Sequence, residues 1–389
     1  MKAVCAVAGG MAAMTVTLGA VGLHIAKKLT APVAERAYEL TIRDVEGTGS
    51  RRIVVLDRNL RTMSPGHYSL LLRSGGVVRL SDVVEDRGPN FVGRAVLSGR
   101  DQTLNQGMQA SWSGINFLNP GTAGLKASNV EVMTAVGPAP AWLIAGDGAP
   151  SNVWAIHIHG LGSPRAGTLR GVQVAADAGL TSLVVSYRND REGPSVGSGR
   201  PELGSSEVDD VRAAVRLARE SGADQIVLFG WSMGGAIALQ LADDPEFRDV
   251  ITGLVLDSPI VDWVSTIKAN CARAGLPAWL GFLAVPWLVS RRLSRVTGIP
   301  TPVHLREFDW IARARELAVP TLILHGRADT SSPFELSARL RSLRPDIVHL
   351  EAFDADHTMS WNSDRELWRR VVSAWLARSQ VDVGKPVRP

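Results

Sequence analysis

One serine stands between near-neighbouring glycines, in the stretch IVLFGWSMGGAIALQLA from Ile226 to Ala242. Because strand-forming residues precede Ser232 and helix-forming residues follow it, we expect a sharp turn from a strand into a helix. Such a turn strains the backbone, and Gly230 and Gly234 remove side chains that would collide there. The pattern G-x-S-x-G in this setting is typical of a serine that attacks an acyl carbonyl.

The same pattern occurs a second time, around Ser195, from Gly193 to Gly197. Its surroundings, REGPSVGSGRPELG, are polar and rich in Gly, Pro and Ser, which indicates a loop. No strand or helix positions a nucleophile there. The second match therefore serves as an internal control for the first.

A serine hydroxyl needs a base to accept its proton and an acid to orient that base. Of the eight histidines, His357 in EAFDADHTMSW follows the last predicted strand, at the sheet edge where ligands gather. Asp329 in ILHGRADTSSP follows the preceding strand, and the order Ser232, Asp329, His357 fits this chemistry. Asp257 in LVLDSP is the alternative acid, with a purely structural role as its competing interpretation.

The tetrahedral intermediate of acyl transfer needs two backbone N–H groups to bind its oxyanion. Met233, directly after the nucleophile, offers one. The segment HIHGLG offers the second at Leu161, because Gly160 and Gly162 let the backbone approach a substrate closely.

Two other interpretations of HIHGLG remain. A dinucleotide-binding loop requires a third glycine, but position 165 is arginine. The second is a metal site, since His157 and His159 are two positions apart and lie on the same face of a strand. No further ligand follows nearby in the sequence. We therefore expect neither a metal nor a cofactor.

The surrounding pattern predicts the elements that hold these residues. From about residue 126 to 379, strand-like runs alternate with helical ones, which favours an α/β fold with a mostly parallel sheet and helices on both faces. Residues 34–125 alternate apolar and polar positions in short runs and predict a small β-rich accessory domain. Residues 380–389 predict a disordered tail.

Residues 258–319 interrupt the alternation and predict a lid insertion. We expect its apolar residues to line an acyl-binding pocket and to favour longer acyl chains; packing onto the core is the alternative. These residues are Leu276, Trp279, Leu280, Phe282, Leu283, Trp287 and Leu288.

The N-terminus carries 24 residues without Lys, Arg, Asp or Glu, from Ala3 to Ala26, followed by Lys27 and Lys28. This length spans a bilayer, so residues 1–28 predict a single-pass membrane anchor with the remaining chain outside the cytoplasm. A cleaved signal peptide and a buried helix are the alternatives.

Overall charge excludes one class of partner. The balance of 42 basic and 38 acidic residues, without long basic blocks, predicts no nucleic-acid binding. Cys5 lies in the anchor segment, so it is not expected to pair with Cys271. Protein partners and oligomeric state have no signal in the sequence.

The motifs GWSMGG, HIHGLG, HGRAD and ADH together resemble the α/β-hydrolase fold, in the branch of serine aminopeptidases and monoacylglycerol-lipase-like enzymes. The runs AGLTSLVVSYRND and GLVLDSPIVDW are similar to actinobacterial hydrolases with an extra N-terminal β-rich region. This resemblance implies a serine hydrolase acting on a small-molecule acyl substrate, but it does not identify that substrate. Carboxylic esters with an apolar acyl part are the first choice, because the insertion is rich in Trp and Leu. A peptidase, or a binding protein that has kept the fold without activity, are the alternatives.

The two G-x-S-x-G matches give a direct test. We expect Ser232→Ala to abolish ester turnover, since it removes the nucleophilic oxygen, and Ser195→Ala to retain the rate of the unmodified protein. Initial rates on p-nitrophenyl acetate measure both. Equal losses of rate in the two variants would contradict the assignment of Ser232 as the nucleophile.

Overall fold

A computed structural model of the chain describes residues 17–99, 102–148 and 152–383. These residues form two β-sheets, one from the N-terminal part of the chain and one from the remainder. The predicted α/β fold with an N-terminal β-rich region is confirmed, and the second sheet is mixed but mostly parallel.

The N-terminal sheet has seven antiparallel strands. Their bounds are β1 (Leu40–Thr41), β2 (Asp44–Glu46), β3 (Ile53–Asp57), β4 (Ser69–Leu72), β5 (Val77–Asp86), β6 (Phe91–Ser98) and β7 (Gln109–Ser113). They lie in the order β1-β7-β4-β5-β6-β3-β2. Because side chains alternate between the two faces of a strand, one face collects a separate apolar core that includes Val54, Leu56, Leu70 and Val92.

The second sheet has eight strands, and the loops that follow three of them carry Ser232, Asp329 and His357. Its strands are β8 (Ser128–Thr134), β9 (Gly137–Ile144), β10 (Val153–Ile158), β11 (Thr181–Val185), β12 (Gln225–Trp231), β13 (Ile251–Asp257), β14 (Thr321–Gly326) and β15 (Val348–Phe353). Their order is β15-β14-β13-β12-β10-β11-β9-β8. β10 to β15 run parallel, so their carboxyl ends meet at one edge.

Helices cover both faces of this sheet. The α-helices of the described residues are α1 (17–29), α2 (Leu60–Met63), α3 (Leu169–Asp177), α4 (Glu207–Glu220), α5 (Met233–Asp243), α6 (Trp263–Arg273), α7 (Val285–Val289), α8 (Leu293–Thr297), α9 (Phe334–Leu343), α10 (Ser360–Ser363) and α11 (Arg365–Val383). Of these, α2 lies between two strands of the N-terminal sheet. α4, α5 and α9 pack into one apolar cluster and α3 and α11 into the other. The sheet thus lies between two helical layers.

The closing helix is longer than the sequence indicates. α11 ends at Val383 and so includes the first residues of the predicted disordered tail. Its buried face holds Trp368, Val372, Trp375 and Leu376, a spacing that fits one side of a helix. Residues 384–389 of the predicted tail lie outside the described part of the chain.

The predicted insertion lies between β13 and β14 and contains α6, α7 and α8. Its apolar residues divide into two groups. Leu288 is fully buried in the main core, whereas Leu276, Trp279 and Phe282 are 44%, 52% and 50% exposed. The alternative of packing onto the core therefore holds for only part of this segment.

The first described helix, α1, is docked on the insertion. A Cβ added at Gly22 would lie 2.1 Å from the backbone oxygen of Leu283, so the two backbones touch. Ala26 is fully buried, and Arg200 donates hydrogen bonds to the carbonyl oxygens of Lys27 and Thr30. Among the residues that the structure describes, no helix is long and apolar enough to span a bilayer. Residues 1–16 of the predicted anchor lie outside the described residues.

The first residue of α4, Glu207, is fully buried and accepts hydrogen bonds from the backbone N–H groups of Glu202 and Gly204. Burial raises its pKa from 4.5 to about 7. A carboxyl whose pKa is higher in the folded than in the unfolded state stabilises the fold at low pH, and this contribution is lost as pH rises through the folded value.

Glu207→Gln cannot ionise and therefore does not lose this contribution. We expect the free energy of unfolding of the variant, measured relative to that of the unmodified protein, to increase from pH 5 to pH 8. This increase has an upper limit of about 3 kcal/mol, because each unit of pKa shift corresponds to about 1.4 kcal/mol. Urea unfolding at both pH values measures the difference. A stability difference that does not change with pH would contradict a raised pKa at Glu207.

Candidate active site

Ser232 lies at the turn between β12, which ends at Trp231, and α5, which begins at Met233. Its φ of 52° is a strained value for a non-glycine residue, as the sequence pattern predicts. A Cβ at Gly230 would lie 2.6 Å from the carbonyl oxygen of Gly234, and one at Gly234 would lie 2.1 Å from that of Ile158. Both positions therefore require glycine to keep the turn.

The structure brings Ser232, His357 and Asp329 into one hydrogen-bonded chain. The Ser232 Oγ lies 2.8 Å from His357 Nε2, and His357 Nδ1 lies 2.8 Å from Asp329 Oδ2. His357 follows β15, and Asp329 follows β14. With Nδ1 protonated toward the carboxylate, Nε2 is free to accept the serine proton.

Asp329 is held by more than His357. Its second oxygen accepts hydrogen bonds from the backbone N–H groups of Ser331 and Ser332, each at 2.7 Å. His325 Nε2 lies 3.0 Å from the oxygen that also faces His357. Burial alone would raise the pKa of Asp329, but hydrogen bonds from His325 and His357 outweigh it and hold the pKa well below its ordinary value.

Asp257, the alternative acid, makes a different set of contacts. Its carboxylate accepts a hydrogen bond from the indole N–H of Trp368 at 3.0 Å and lies near the hydroxyls of Ser258 and Ser360. Burial raises its pKa, against the opposing charge of Arg170. These contacts tie β13 to α10 and α11 and do not include the imidazole of His357.

The two expected oxyanion donors lie beside the serine. Met233 is the first residue of α5, where backbone N–H groups have no acceptor within the helix. Leu161 lines the pocket at Ser232 together with Gly160. A Cβ at Gly160 would lie 3.0 Å from the Ser232 Cβ, and Gly162 has a φ of 72°, so this loop depends on both glycines.

The loop that carries Leu161 is supported by a buried network that the sequence analysis did not identify. His159 Nε2 lies 2.9 Å from Asp190 Oδ2, and its Nδ1 lies 3.0 Å from the hydroxyl of Tyr187. That hydroxyl also donates to the carbonyl oxygen of His159. Tyr187 and Asp190 belong to the run VVSYRND, whose polar residues directly after a strand were the available signal.

His157, the other residue of the hypothetical metal pair, contacts neither His159 nor Asp190 in this network. Its Nε2 lies 3.1 Å from the Ser182 hydroxyl, and burial lowers its pKa to about 3. Within the described residues, no group of three or more His, Cys, Asp or Glu side chains is arranged so that it could hold a metal ion.

The pocket at Ser232 has a volume of about 90 Å³. Its lining is His159, Gly160, Leu161, Ser163, Gly167, Thr168, Arg170, Trp231, Ser232, His357 and Thr358. The expectation that Leu276, Trp279 and the other apolar lid residues form this lining is wrong for the described pocket. Phe282 lines a separate cleft of about 590 Å³ within the insertion instead. The sequence identified the apolar segment but not the direction of its side chains.

A mostly parallel sheet with a serine on a strand-to-helix turn, and an aspartate and a histidine on later loops at the same edge, defines the α/β-hydrolase class of folds. Residues 155–382 match the Alpha/beta hydrolase family. The chain therefore belongs to that family, as the motif resemblance implied.

Further comparisons concern the N-terminal sheet and the fold. Residues 41–113 match a family described as Domain of unknown function (DUF8805). The esterase Pf2001 from Pyrococcus furiosus is similar in fold: in its P21 crystal form it has 19% identity and a TM-score of 0.51, covering 68% of this chain and 97% of that chain. Its C2221 form gives 21% identity, the same TM-score, and 68% and 94% coverage. No curated protein matches this sequence.

The two aspartates at strand ends give a test of the hydrogen-bonded chain. We expect Asp329→Asn to lower kcat by about 10³- to 10⁴-fold, because the amide no longer fixes the protonated nitrogen of His357. Asp257→Asn should lower thermal stability and leave kcat within about tenfold, since it disturbs a buried contact away from the imidazole. The reverse ranking in folded variants would assign the acid to Asp257.

Proposed function

We propose that this protein hydrolyses carboxylic esters through a covalent acyl-enzyme on Ser232. The observation that carries the proposal is the continuous hydrogen-bonded chain from the Ser232 hydroxyl through His357 to Asp329. A serine placed on a strained turn, with an imidazole in contact, is equipped for nucleophilic attack.

In the proposed mechanism, Ser232 Oγ attacks the ester carbonyl while His357 Nε2 takes its proton. The N–H groups of Leu161 and Met233 bind the oxyanion of the tetrahedral intermediate. The leaving alcohol receives the proton from His357, and the acyl group stays on Ser232. Water then attacks the acyl-enzyme, with His357 as base, and releases the acid. Asp329 stabilises the imidazolium in both steps.

We propose that the acyl group is apolar and short. The volume of about 90 Å³ at Ser232 is far below the roughly 300–1,000 Å³ of pockets that hold drug-sized ligands. Trp231 and Leu161 contribute apolar groups to the lining of this pocket, and Arg170 and Thr168 contribute polar ones. The Pyrococcus furiosus protein of similar fold is named an esterase, which supports an ester as the substrate class.

Acyl-chain length tests this substrate class. We expect kcat/KM for p-nitrophenyl esters to be highest between acetate and butyrate and roughly tenfold or more lower for octanoate, because extra methylenes do not fit. The double variant Trp279→Ala, Leu283→Ala should leave this profile unchanged. A rate that rises to octanoate and falls in the double variant would restore the lid-lined pocket. Faster cleavage of aminoacyl amides than of any ester would identify a peptidase.

We propose further that the N-terminal segment 1–28 holds the protein at a membrane, with the hydrolase domain on the extracytoplasmic side. The uncharged run that begins at Ala3 supports a membrane-binding segment. Its second half lies in α1, which packs on the insertion with Ala26 fully buried, so the part before α1 is the part that enters the membrane. Since α1 docks on the insertion, an anchor preceding it would bring the insertion close to the bilayer.

The insertion combines basic residues with exposed apolar side chains, as do surfaces that bind anionic lipids. From Trp263 to Arg306 the chain has six Lys or Arg residues and no Asp or Glu. Exposed apolar side chains occur in the same segment, namely Leu276, Trp279, Phe282, Val289 and Val296. Basic residues with exposed aromatic side chains favour an interface with negatively charged headgroups.

We expect the full chain to sediment with membranes and to resist carbonate extraction. A chain beginning at Thr17 should remain in the supernatant and keep its esterase activity, since it retains the docked helix α1. A chain beginning at Thr30 lacks Ala26 and should lose stability, because a buried part of the core is removed. A full-length chain that stays in the supernatant would contradict the anchor.

A further inference from the structure

The N-terminal sheet domain touches the segment that follows His357. Asn362, in α10, is fully buried, and its side-chain N–H₂ donates to the carbonyl oxygens of His67 at 2.6 Å and Gly114 at 3.0 Å. In return, the backbone N–H of His67 donates to the Asn362 carbonyl oxygen at 2.8 Å. Three hydrogen bonds therefore connect the N-terminal domain to a residue five positions after His357.

The same asparagine is connected to the residue next to His357. Arg170 donates from one nitrogen, Nη1, to the Thr358 carbonyl oxygen at 3.0 Å and to the Asn362 side-chain oxygen. Thr358 has a φ of 56°, a left-handed conformation that a threonine rarely adopts unless its surroundings hold it. Its backbone N–H donates to the Ser258 hydroxyl at 3.0 Å. The backbone after His357 is thus fixed from several sides.

The N-terminal side of this contact is itself rigidly held. Arg94 is fully buried and donates to the carbonyl oxygens of Ser64 and Gly66, as well as Thr62 and Ser81. Burial lowers the pKa of this guanidinium to about 10, so the charge is retained at neutral pH. A Cβ at Gly66 would lie 2.2 Å from the Asn362 carbonyl oxygen. The loop before His67 is therefore pressed against α10.

We propose that the N-terminal sheet domain acts as an intramolecular clamp that positions His357, with Asn362 as the positioning residue. The clamp consists of His67 and Gly114 on the N-terminal side and Asn362 on the hydrolase side. This inference rests on the proposed esterase function. It gives the region that matches a domain of unknown function a role in the reaction, without contact between that region and the reacting atoms.

Asn362→Asp tests the clamp. The variant keeps an oxygen for Arg170 but replaces the donor N–H₂ with an acceptor that faces two carbonyl oxygens. We expect kcat to fall roughly 10- to 100-fold with little change in KM, because a small displacement of a catalytic group is costly while substrate binding is untouched. An unchanged kcat in the folded variant would overturn the proposal.

A second measurement separates positioning from a general loss of structure. In a His357→Ala background, residual turnover does not depend on where the imidazole lies, so Asn362→Asp should cause no further loss. An equal loss in both backgrounds would show that Asn362 only stabilises the fold. If His357→Ala itself left turnover unchanged, the proposed function would fail instead, which is a distinguishable outcome.

Gly114→Ala provides an independent variant from the N-terminal side, in case Asn362→Asp does not fold. A Cβ at Gly114 would lie 2.4 Å from Met359 Sδ, two residues after His357, and 3.1 Å from the Asn362 side-chain oxygen. Gly121→Ala is the matched control, because its Cβ would meet only Asn119 at an ordinary 3.4 Å. We expect a lower kcat for Gly114→Ala alone, again absent in the His357→Ala background. Equal kcat values for the two glycine variants would overturn the clamp.

Discussion

The imidazole of His357 must face a carboxylate with one nitrogen and a serine hydroxyl with the other, and the site depends on this double contact. Both distances are 2.8 Å. The three residues come from the ends of β12, β14 and β15, which do not all adjoin in the sheet, since β13 lies between β12 and β14. Only a sheet with parallel strands places these ends at one edge. The contacts of His357 with Ser232 and Asp329 therefore depend on the parallel arrangement of these strands.

Buried polar groups around the site keep that geometry fixed. Asp329 is oriented by His325 and two backbone N–H groups, and the loop of Leu161 by the contact of His159 with Asp190. Because unpaired polar groups are costly in the interior, such networks permit few alternative arrangements. These networks therefore keep the site rigid where the proton moves between Ser232 and His357.

Local features of the site were predictable from sequence, and long-range ones were not. The glycines around Ser232 and the polar residues after β14 and β15 are short-range signals, since the turn and strand end dictate them. Arg170 and Asn362 lie 192 positions apart, and no local pattern indicates their pairing. Likewise, the sequence shows that Trp279 and Phe282 belong to an apolar segment, but whether they face the pocket or solvent depends on how the insertion packs.

The central claim is that Ser232 is chemically activated by its surroundings. Labelling the folded, full-length protein with a fluorophosphonate, followed by mass spectrometry of its peptides, tests this directly. The account predicts one adduct per chain, located on Ser232, and none on Ser195, because only the first serine contacts an imidazole. A folded protein without an adduct would be a binding module with a hydrolase fold, and an adduct on any other residue would equally contradict the account.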